Sequence, residues 1–317
     1  MKSGKTILKV AVTLILVTWL IKHVDWPTVG RIAAETSVPL LLCYCLIQLL
    51  GNLISALKWQ YLARLQNFRF SLTDGFFAYL GGAFINNFLP STIGGDAYRV
   101  MWMSRIGERI RAFAVVFFDR ITGLLGLFLL SGFGLLFFPW QVLSNEPILI
   151  ILSAIILSAA LLVIATLLWT EKLYQSLLPF VSKLPGEKPG VVLQGFESFV
   201  NRRTYGKVLL WSLLFMFVGV GVSNYALFQA LGVELPPHIF FSTIFAATLV
   251  ANIPISINNI GVKEWAYVFF FGLVGVAPEF AVTAALFSRL LQMLLSFIAL
   301  PHYLKAKERD SLISSTS

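Results

Sequence analysis

Two arginines of this sequence lie within long apolar segments, where an ionised side chain is costly. Arg120 lies in the segment 112–138, and Arg289 lies in the segment 279–302. On membrane-insertion scales an arginine at the centre of a helix costs about 2.5–3.5 kcal/mol, so such residues usually face a protein interior or a wet cavity. Because a guanidinium is always charged and binds phosphate in a bidentate way, the pattern is typical of a site for an anionic group at membrane depth.

Acidic residues near these arginines allow a second interpretation, in which the charges form structural ion pairs. Asp119 directly precedes Arg120, but adjacent residues of a helix do not face each other. A partner from another helix is therefore favoured, for example Asp96 with Arg120 or Asp119 with Arg289. The sequence alone leaves the functional and the structural interpretation open.

Two segments, 86–96 and 252–264, interrupt the apolar runs with the same kinds of residue. Each has asparagine, then proline, then small residues and glycine, between apolar stretches that are too short to span a bilayer. Irregular backbone at membrane depth survives only where it is buried in protein or lines a wet cavity, because hydrocarbon leaves its polar groups unpaired. Two such interruptions in corresponding halves of one chain are typical of a transport site.

Residues at and beside the two interruptions are the candidate substrate-binding side chains. The asparagines could instead satisfy backbone groups that the interruptions free, and Asp96 could cap a helix. Proline and glycine are expected to shape the backbone, since proline cannot continue a helix and glycine permits a tight turn. The candidate substrate-binding residues are Asn86, Asn87, Asp96, Arg99, Asp119, Arg120, Asn252, Lys263, Glu264, Arg289 and Gln292. The candidate structural residues at the breaks are Pro90, Gly94, Gly95, Pro254 and Gly261.

The charged candidates comprise four cations and three carboxylates, a small surplus of positive charge. Helices that begin at the interruptions would add the positive ends of their dipoles. Both features favour a phosphate over a cation as the bound group. We therefore expect membrane lipids, of an anionic or phosphate-bearing kind, as partners.

The composition is that of a polytopic membrane protein. Hydrophobic residues make up 58% of the 317 residues and charged residues 12%, whereas soluble domains carry about 25% charged residues. The net charge of +9 comes from lysines and arginines between the apolar runs, which orients helices in a membrane and does not indicate nucleic acid binding. The same cations would attract anionic lipid headgroups.

Apolar runs of about 20 residues, the length that crosses a hydrocarbon core of ~30 Å, predict the topology. Two regions, 74–104 and 237–277, contain the interruptions and do not fit as simple spans. The lysines and arginines of the loops place both termini and the segment 171–206 in the cytoplasm. Counting the membrane crossings between these cytoplasmic segments then makes each of the two regions enter and leave on one face, as re-entrant hairpins from opposite faces. Eight ordinary spans are the alternative. Full spans are expected at 5–21, 39–61, 112–138, 147–169, 207–231 and 279–302.

The predicted fold class is therefore all-α: one integral membrane domain over residues 1–317, with about six full spans plus two re-entrant broken-helix hairpins that form an inverted repeat. The sequence has no nucleophile–base set, metal-ligand spacing or nucleotide-binding motif. We accordingly expect a protein that is not an enzyme and has no cofactor and no metal. Cys43 and Cys45 are two positions apart in one apolar run and are expected to pack without forming a disulfide.

Three motifs give the sequence a resemblance that extends over essentially its whole length. The motifs are Asn87-Phe88-Leu89-Pro90-Ser91-Thr92-Ile93-Gly94-Gly95-Asp96 with Arg99, Asp119-Arg120 with Gly123-Leu124, and Pro254-Ile255-Ser256 with Gly261-Val262-Lys263-Glu264. They resemble those of the lysylphosphatidylglycerol synthase transmembrane-region family, also called the flippase-like domain family. This chain differs in having Asn258-Asn259 where glycine is common and Lys263 where arginine is common.

The resemblance implies a membrane domain that moves a lipid across the bilayer. In larger family members this domain is fused to a soluble aminoacyltransferase domain that makes lysyl-lipid, and the present chain resembles the membrane domain alone. The expected function is a lipid flippase or translocase of the cytoplasmic (inner) membrane that moves a phosphate-bearing lipid or lipid-linked headgroup. The alternative is a non-transporting membrane scaffold for a lipid-modifying or glycosyltransferase system, with a lipid-synthesising enzyme as a possible partner.

Overall fold

The computed structural model of the protein describes residues 2–88, 94–139, 142, 149–150, 152–166, 198–199 and 201–301, with the backbone alone described at 2–7, 87 and 88. Within these ranges the chain is helical apart from turns and short connections, and no strand occurs among them. The helices are α1 (Lys2–His23), α2 (Trp26–Glu35), α3 (Val38–Leu65), α4 (Leu72–Phe88), α5 (Gly94–Met103), α6 (Arg109–Leu135), α7 (Leu152–Thr166), α8 (Arg202–Ala230), α9 (Pro237–Ala251), α10 (Val262–Gly272) and α11 (Pro278–Ser296).

Four helices in the described part of the chain are long and apolar enough, by length and composition, to cross a membrane. They are α3, α6, α8, and α11 with the short 3-10 turn that follows it. They confirm long apolar helices at the predicted spans 39–61, 112–138, 207–231 and 279–302. The predicted span 5–21 lies inside α1, while α7 is a shorter apolar helix within the predicted span 147–169. The all-α class is thus confirmed for the described residues, whereas six full spans and two re-entrant hairpins stay predictions.

The contacts within the chain divide it into two compact units, which are described separately below. Helices α4 and α5, with the first interruption and Arg120, belong to unit 2; α9 and α10, with the second interruption and Arg289, belong to unit 1. Each unit therefore holds one interruption together with the arginine that follows it in the sequence. Unit 1 comprises residues 1–51, 124–164 and 213–292, and unit 2 comprises residues 52–123, 165–212 and 293–317.

In unit 2 the half-helices α4 and α5 pack with almost no space between their backbones. A Cβ atom on Gly95 would lie 2.3 Å from the carbonyl oxygen of Gly82, a separation that no side chain tolerates. The Oδ1 atom of Asn86 accepts a hydrogen bond of 2.6 Å from the Gly95 N–H. It thereby satisfies one of the backbone donors that the start of a helix leaves unpaired. Gly95 is thus required by close packing inside α5 and not, as the sequence suggested, by a turn.

In unit 1 a π-helical turn, Met216–Val222, lies in the middle of α8 and helps to position α10. A Cβ atom on Gly51 of α3 would lie 2.6 Å from the Cα atom of Gly219, so α3 and α8 approach closely at this turn. Asn224, two residues after the turn, accepts a hydrogen bond of 3.1 Å from the Tyr267 hydroxyl of α10. A π turn commonly marks a functional position in a helix, and here it places a polar contact on the helix that follows the second interruption.

Candidate functional sites

Five charged side chains of unit 2 form a continuous chain of ion pairs, which we call the Asp96 cluster. It consists of Lys58 from α3, Asp96 and Arg99 from α5, and Asp119 and Arg120 from α6. Asp119 forms ion pairs with two cations: its Oδ1 lies 2.9 Å from Lys58 Nζ, and its Oδ2 accepts a hydrogen bond of 2.7 Å from Arg99 Nη1. Asp96 also joins two cations, since its Oδ1 lies 2.5 Å from Arg99 Nη2 and its Oδ2 pairs with Arg120 Nη1.

Burial decreases steadily along the Asp96 cluster. The side chains of Lys58 and Asp119 are only 4% and 3% exposed, and that of Arg99 is 8% exposed. Asp96 is 17% exposed and Arg120 is 41% exposed. Buried charges are tolerated only when they are paired and hydrogen-bonded, and the inner three side chains meet that condition. The outer guanidinium of Arg120 is therefore the member of the cluster that an incoming anion reaches most directly.

Arg99 is fixed by aromatic rings as well as by its two carboxylates. Its guanidinium carbon lies 4.6 Å from the ring centroid of Tyr79 and 5.8 Å from that of Trp59. A cation over an aromatic face is attracted by the ring quadrupole, most strongly where water is excluded. Arg99 thus holds Asp96 in place from the buried side and leaves the other carboxylate oxygen to Arg120.

Lys58 is the functional candidate that the sequence analysis missed. It lies inside α3, which continues to Leu65, and within the predicted span 39–61. Besides its ion pair, Lys58 Nζ donates hydrogen bonds to the backbone oxygen of Asp119 at 2.9 Å and to Ser212 Oγ at 3.2 Å. A lysine within the apolar run 39–61 was the available signal, because charges are rarely placed there without a partner.

In unit 1, Glu264 and Arg289 form the centre of a second cluster, which we call the Glu264 cluster. The Glu264 side chain is 5% exposed and that of Arg289 is 30% exposed. Oε1 of Glu264 accepts from Arg289 Nε at 3.1 Å and from Nη2 at 3.0 Å, and Oε2 accepts from the Gly261 N–H at 2.8 Å. The carboxylate therefore caps the start of α10 and binds the arginine of α11 at once.

Arg289 also holds the backbone of the second interruption. Its Nη1 donates to the Asn258 carbonyl oxygen at 3.1 Å, and its Nη2 donates to the Asn259 carbonyl oxygen at 3.2 Å. Both asparagines adopt left-handed backbone conformations, with φ of 48° and 56°, and Gly261 follows with φ of 83°. Asparagine is the residue that tolerates this conformation best after glycine. The two asparagines thus supply the left-handed backbone that this interruption requires.

The remaining candidates of unit 1 make local polar contacts. Lys263 Nζ donates to the buried Ser288 Oγ at 2.7 Å and lies 5.6 Å from the ring centroid of Tyr267. Gln292 donates to the Tyr44 hydroxyl at 3.1 Å. The exposed Asn252 donates to the Thr248 carbonyl oxygen of its own helix at 2.8 Å, which is the backbone-satisfying role expected as one alternative for the asparagines.

Of the predicted ion pairs, Asp96 with Arg120 is confirmed. The pair Asp119 with Arg289 is wrong: Asp119 pairs with two cations of its own unit, and Arg289 pairs with Glu264. Gly94 begins α5 and Pro254 lies in the connection between α9 and α10. The side chain of Asn87, and Pro90 altogether, lie outside the described residues.

The two clusters follow the same plan along the sequence. In each, the carboxylate is the third residue of the half-helix after the interruption, Asp96 in α5 and Glu264 in α10. In each, its arginine is the twelfth residue of the next helix, Arg120 in α6 and Arg289 in α11. The separations are 24 and 25 residues. This correspondence agrees with the internal repeat expected from the sequence.

The Asp96 cluster carries three cations against two carboxylates. The Glu264 cluster, counted together with the neighbouring Lys263 that donates to Ser288, carries two cations against one carboxylate. An anion that joins either cluster would complete its charge balance. Among the described residues, no group of three or more histidine, cysteine, aspartate or glutamate side chains is arranged to hold a metal ion. The cationic groups at these positions are guanidinium and ammonium groups, both of which can bind an anionic group.

Four long apolar helices among the described residues, together with the shorter helices that end or begin at the two interruptions, define an integral membrane protein of the multi-pass helical class. The sequence model described as lysylphosphatidylglycerol synthase TM region matches residues 6–299. The chain belongs to this family, which confirms the resemblance drawn from its motifs.

Two relatives are similar to the chain over most of its length. UPF0104 membrane protein PH1989 of Pyrococcus horikoshii is 24% identical over 302 residues, which cover 87% of this chain and 88% of the relative. UPF0104 membrane protein MJ1595 of Methanocaldococcus jannaschii is 20% identical over 325 residues, which cover 94% and 93%. Both names describe membrane proteins, in agreement with the multi-pass class, and neither name states a substrate.

Proposed function

We propose that this protein is a lipid flippase or translocase that moves a phosphate-bearing lipid or lipid-linked headgroup across the cytoplasmic membrane. The observation that carries the proposal is the recurrence of one arrangement in both units: an interrupted helix, a carboxylate at the start of its second half, and a partly exposed arginine bound to that carboxylate. A protein that only scaffolds other proteins has no need for such charges within apolar helices, where they are costly.

The carboxylates give each arginine a partner while no lipid is bound. In the Asp96 cluster, Arg120 can exchange Asp96 for a phosphate at modest cost, because the carboxylate keeps its contact with the buried Arg99. Leaving a buried charge without a partner costs ~3–5 kcal/mol, and this arrangement avoids that penalty. The headgroup would bind at the arginines while the acyl or prenyl chains stay among the lipids.

The proposal includes a topology. We place both termini in the cytoplasm and have the regions 74–104 and 237–277 enter the membrane from opposite faces. Single cysteines at Thr92 and at Asn258, in a background in which the free Cys43 and Cys45 are replaced by alanine, test it by labelling with an impermeant maleimide. Rapid labelling of both positions from the same face would refute the inverted arrangement.

The function is tested by transport in proteoliposomes that contain the purified protein and a lipid labelled at its headgroup. We expect Arg120→Ala and Arg289→Ala each to abolish lipid movement while much of the folded protein survives in detergent. Arg31→Ala is the matched control, because Arg31 is an exposed cation on the short helix α2 and should leave transport unchanged. Loss of folding in parallel with loss of transport would favour purely structural ion pairs. Wild-type protein that is folded but moves no lipid would favour the scaffold.

A further inference from the structure

The turn between α3 and α4, in unit 2, forms a cavity that is separate from the Asp96 cluster. The cavity has a volume of about 440 Å³ and is lined by Arg64, Asn67, Phe68, Arg69 and Phe70. Pockets that bind small ligands have volumes of ~300–1,000 Å³, so the space is sufficient for a headgroup.

The backbone of this turn is fixed by the end of α3. The Phe68 N–H donates to the Ala63 carbonyl oxygen at 3.0 Å, and the Asn67 N–H donates to the Arg64 carbonyl oxygen at 3.1 Å. Asn67 has φ of 64°. These are the two hydrogen bonds and the left-handed residue of a Schellman motif, which satisfies carbonyl groups that a helix end otherwise exposes. An anion in the cavity therefore meets fewer unpaired acceptors than at an ordinary helix C-terminus.

Phe68 and Phe70 form the apolar floor of the cavity, and both rings are fixed by packing. Phe68 is buried, and a Cβ atom on Gly107 would lie 2.5 Å from its ring, so the ring packs directly on that glycine. The ring centroid of Phe70 lies 5.1 Å from that of Trp59 and 5.1 Å from that of Trp102. The floor is thus continuous with the aromatic core of unit 2, and little rearrangement is needed to receive a ligand.

The charge at the cavity is unbalanced. Arg64 and Arg69 are both exposed, and neither guanidinium forms an ion pair with any residue that the structure describes. Arg99, Arg120 and Arg289, by contrast, are each bound to a carboxylate. Two uncompensated guanidinium groups on one cavity form a site for an anion, and arginine is suited to phosphate because its planar fork binds two oxygens.

We propose that this cavity binds the phosphate headgroup of a membrane phospholipid. Arg64 is the penultimate residue of α3, one of the helices able to cross a membrane, so the cavity lies at the level where a helix emerges among headgroups. The combination of two guanidinium groups with a phenylalanine floor fits a ligand that is charged on one side and apolar on the other. This favours a lipid over free phosphate. The site does not depend on transport, and its role would be to hold a lipid beside the end of α3.

The test is a titration of the delipidated protein in detergent, followed by native mass spectrometry. The probes are dioleoyl phosphatidic acid and dioleoylglycerol, which differ only in the phosphate. A juxtamembrane arginine contributes roughly fivefold to affinity for an anionic lipid, so Arg64→Gln with Arg69→Gln should weaken binding of the phosphatidic acid by about 25-fold. The control Arg31→Gln removes an exposed cation elsewhere and should change binding by less than about twofold.

Three outcomes would overturn the assignment. They are unchanged binding in the double glutamine variant, equal binding of dioleoylglycerol by the wild type, and displacement of the lipid by millimolar inorganic phosphate, which would assign the cavity to free phosphate. If the double glutamine variant does not fold, Arg64→Lys with Arg69→Lys keeps the charge but loses the bidentate contact, and should still weaken binding several-fold. Unchanged binding in the double glutamine variant leaves the transport proposal untouched, because Arg120 and Arg289 are intact in that variant.

Discussion

Asp119→Asn is the substitution that unit 2 should tolerate least among its charged residues. The Asp119 side chain is 3% exposed and lies between Lys58 Nζ at 2.9 Å and Arg99 Nη1 at 2.7 Å. Asparagine keeps the shape of the side chain and removes its charge. Two buried cations would then face each other without the anion that separates them.

The size of the effect follows from this burial. Removing one partner of a buried ion pair costs ~3–5 kcal/mol, because the other charge stays behind unpaired. Two cations lose a partner here, so the upper end of that range, about 5 kcal/mol, is expected. At roughly 2–4 °C per kcal/mol for a large domain, the melting temperature should fall on the order of 10 °C or more.

The assay is thermal unfolding of the purified protein in detergent, followed by circular dichroism. Glu35→Gln, which removes an exposed carboxylate on α2, is the control and should melt like the wild type. The double variant Lys58→Met with Asp119→Asn removes one cation and one anion together and returns the Asp96 cluster to a surplus of one positive charge. It should recover most of the lost stability, since a buried ion pair can often be replaced by apolar groups at little cost.

Either of two results would refute this reasoning. One is an Asp119→Asn protein that melts within about 2 °C of the wild type, which corresponds to less than ~1 kcal/mol. The other is a double variant that is no more stable than the single one. In both cases the buried charges would not be what stabilises this part of unit 2.

Three further substitutions address single contacts. Gly95→Ala should prevent α4 and α5 from packing and greatly reduce the yield of folded protein, because its Cβ would lie 2.3 Å from the Gly82 carbonyl oxygen, whereas Gly272→Ala, with open space around it, should be harmless. Arg289→Lys should lose transport, since one ammonium cannot replace the guanidinium contacts with a carboxylate and two carbonyl groups. Asn259→Val should lower the melting temperature by an amount that corresponds to about 1–3 kcal/mol, while Asn259→Gly should not, because φ is 56° there.

The sequence predicted the class of the fold and the places where helices are interrupted, because both depend on local composition. Apolar runs of sufficient length predict membrane helices, and asparagine, proline and glycine predict the breaks. The pair Asp96 with Arg120 was predictable as well, since both charges lie in apolar surroundings and require partners.

Other features of the site depend on packing that no local pattern encodes. The partners of Lys58 come from α6 and α8, and Ser212 is 154 residues away in the sequence. A lysine near the end of an apolar run can either lie in the loop, where it sets the topology, or lie one or two turns earlier, buried in the helix. The charge pattern alone does not distinguish these two positions. The close approach of Gly95 to Gly82 was equally hidden, because glycine near a break is expected to form a turn.

Transport of a phosphate-bearing lipid beside a phosphate-free lipid tests the central claim most directly. Wild-type protein is reconstituted into liposomes with one labelled lipid of each kind, matched in acyl chains, and the rate at which each label changes leaflet is measured. We predict faster movement of the phosphate-bearing lipid, and loss of that preference in Arg289→Gln. Equal rates for the two lipids, unaffected by Arg289→Gln, would contradict the account.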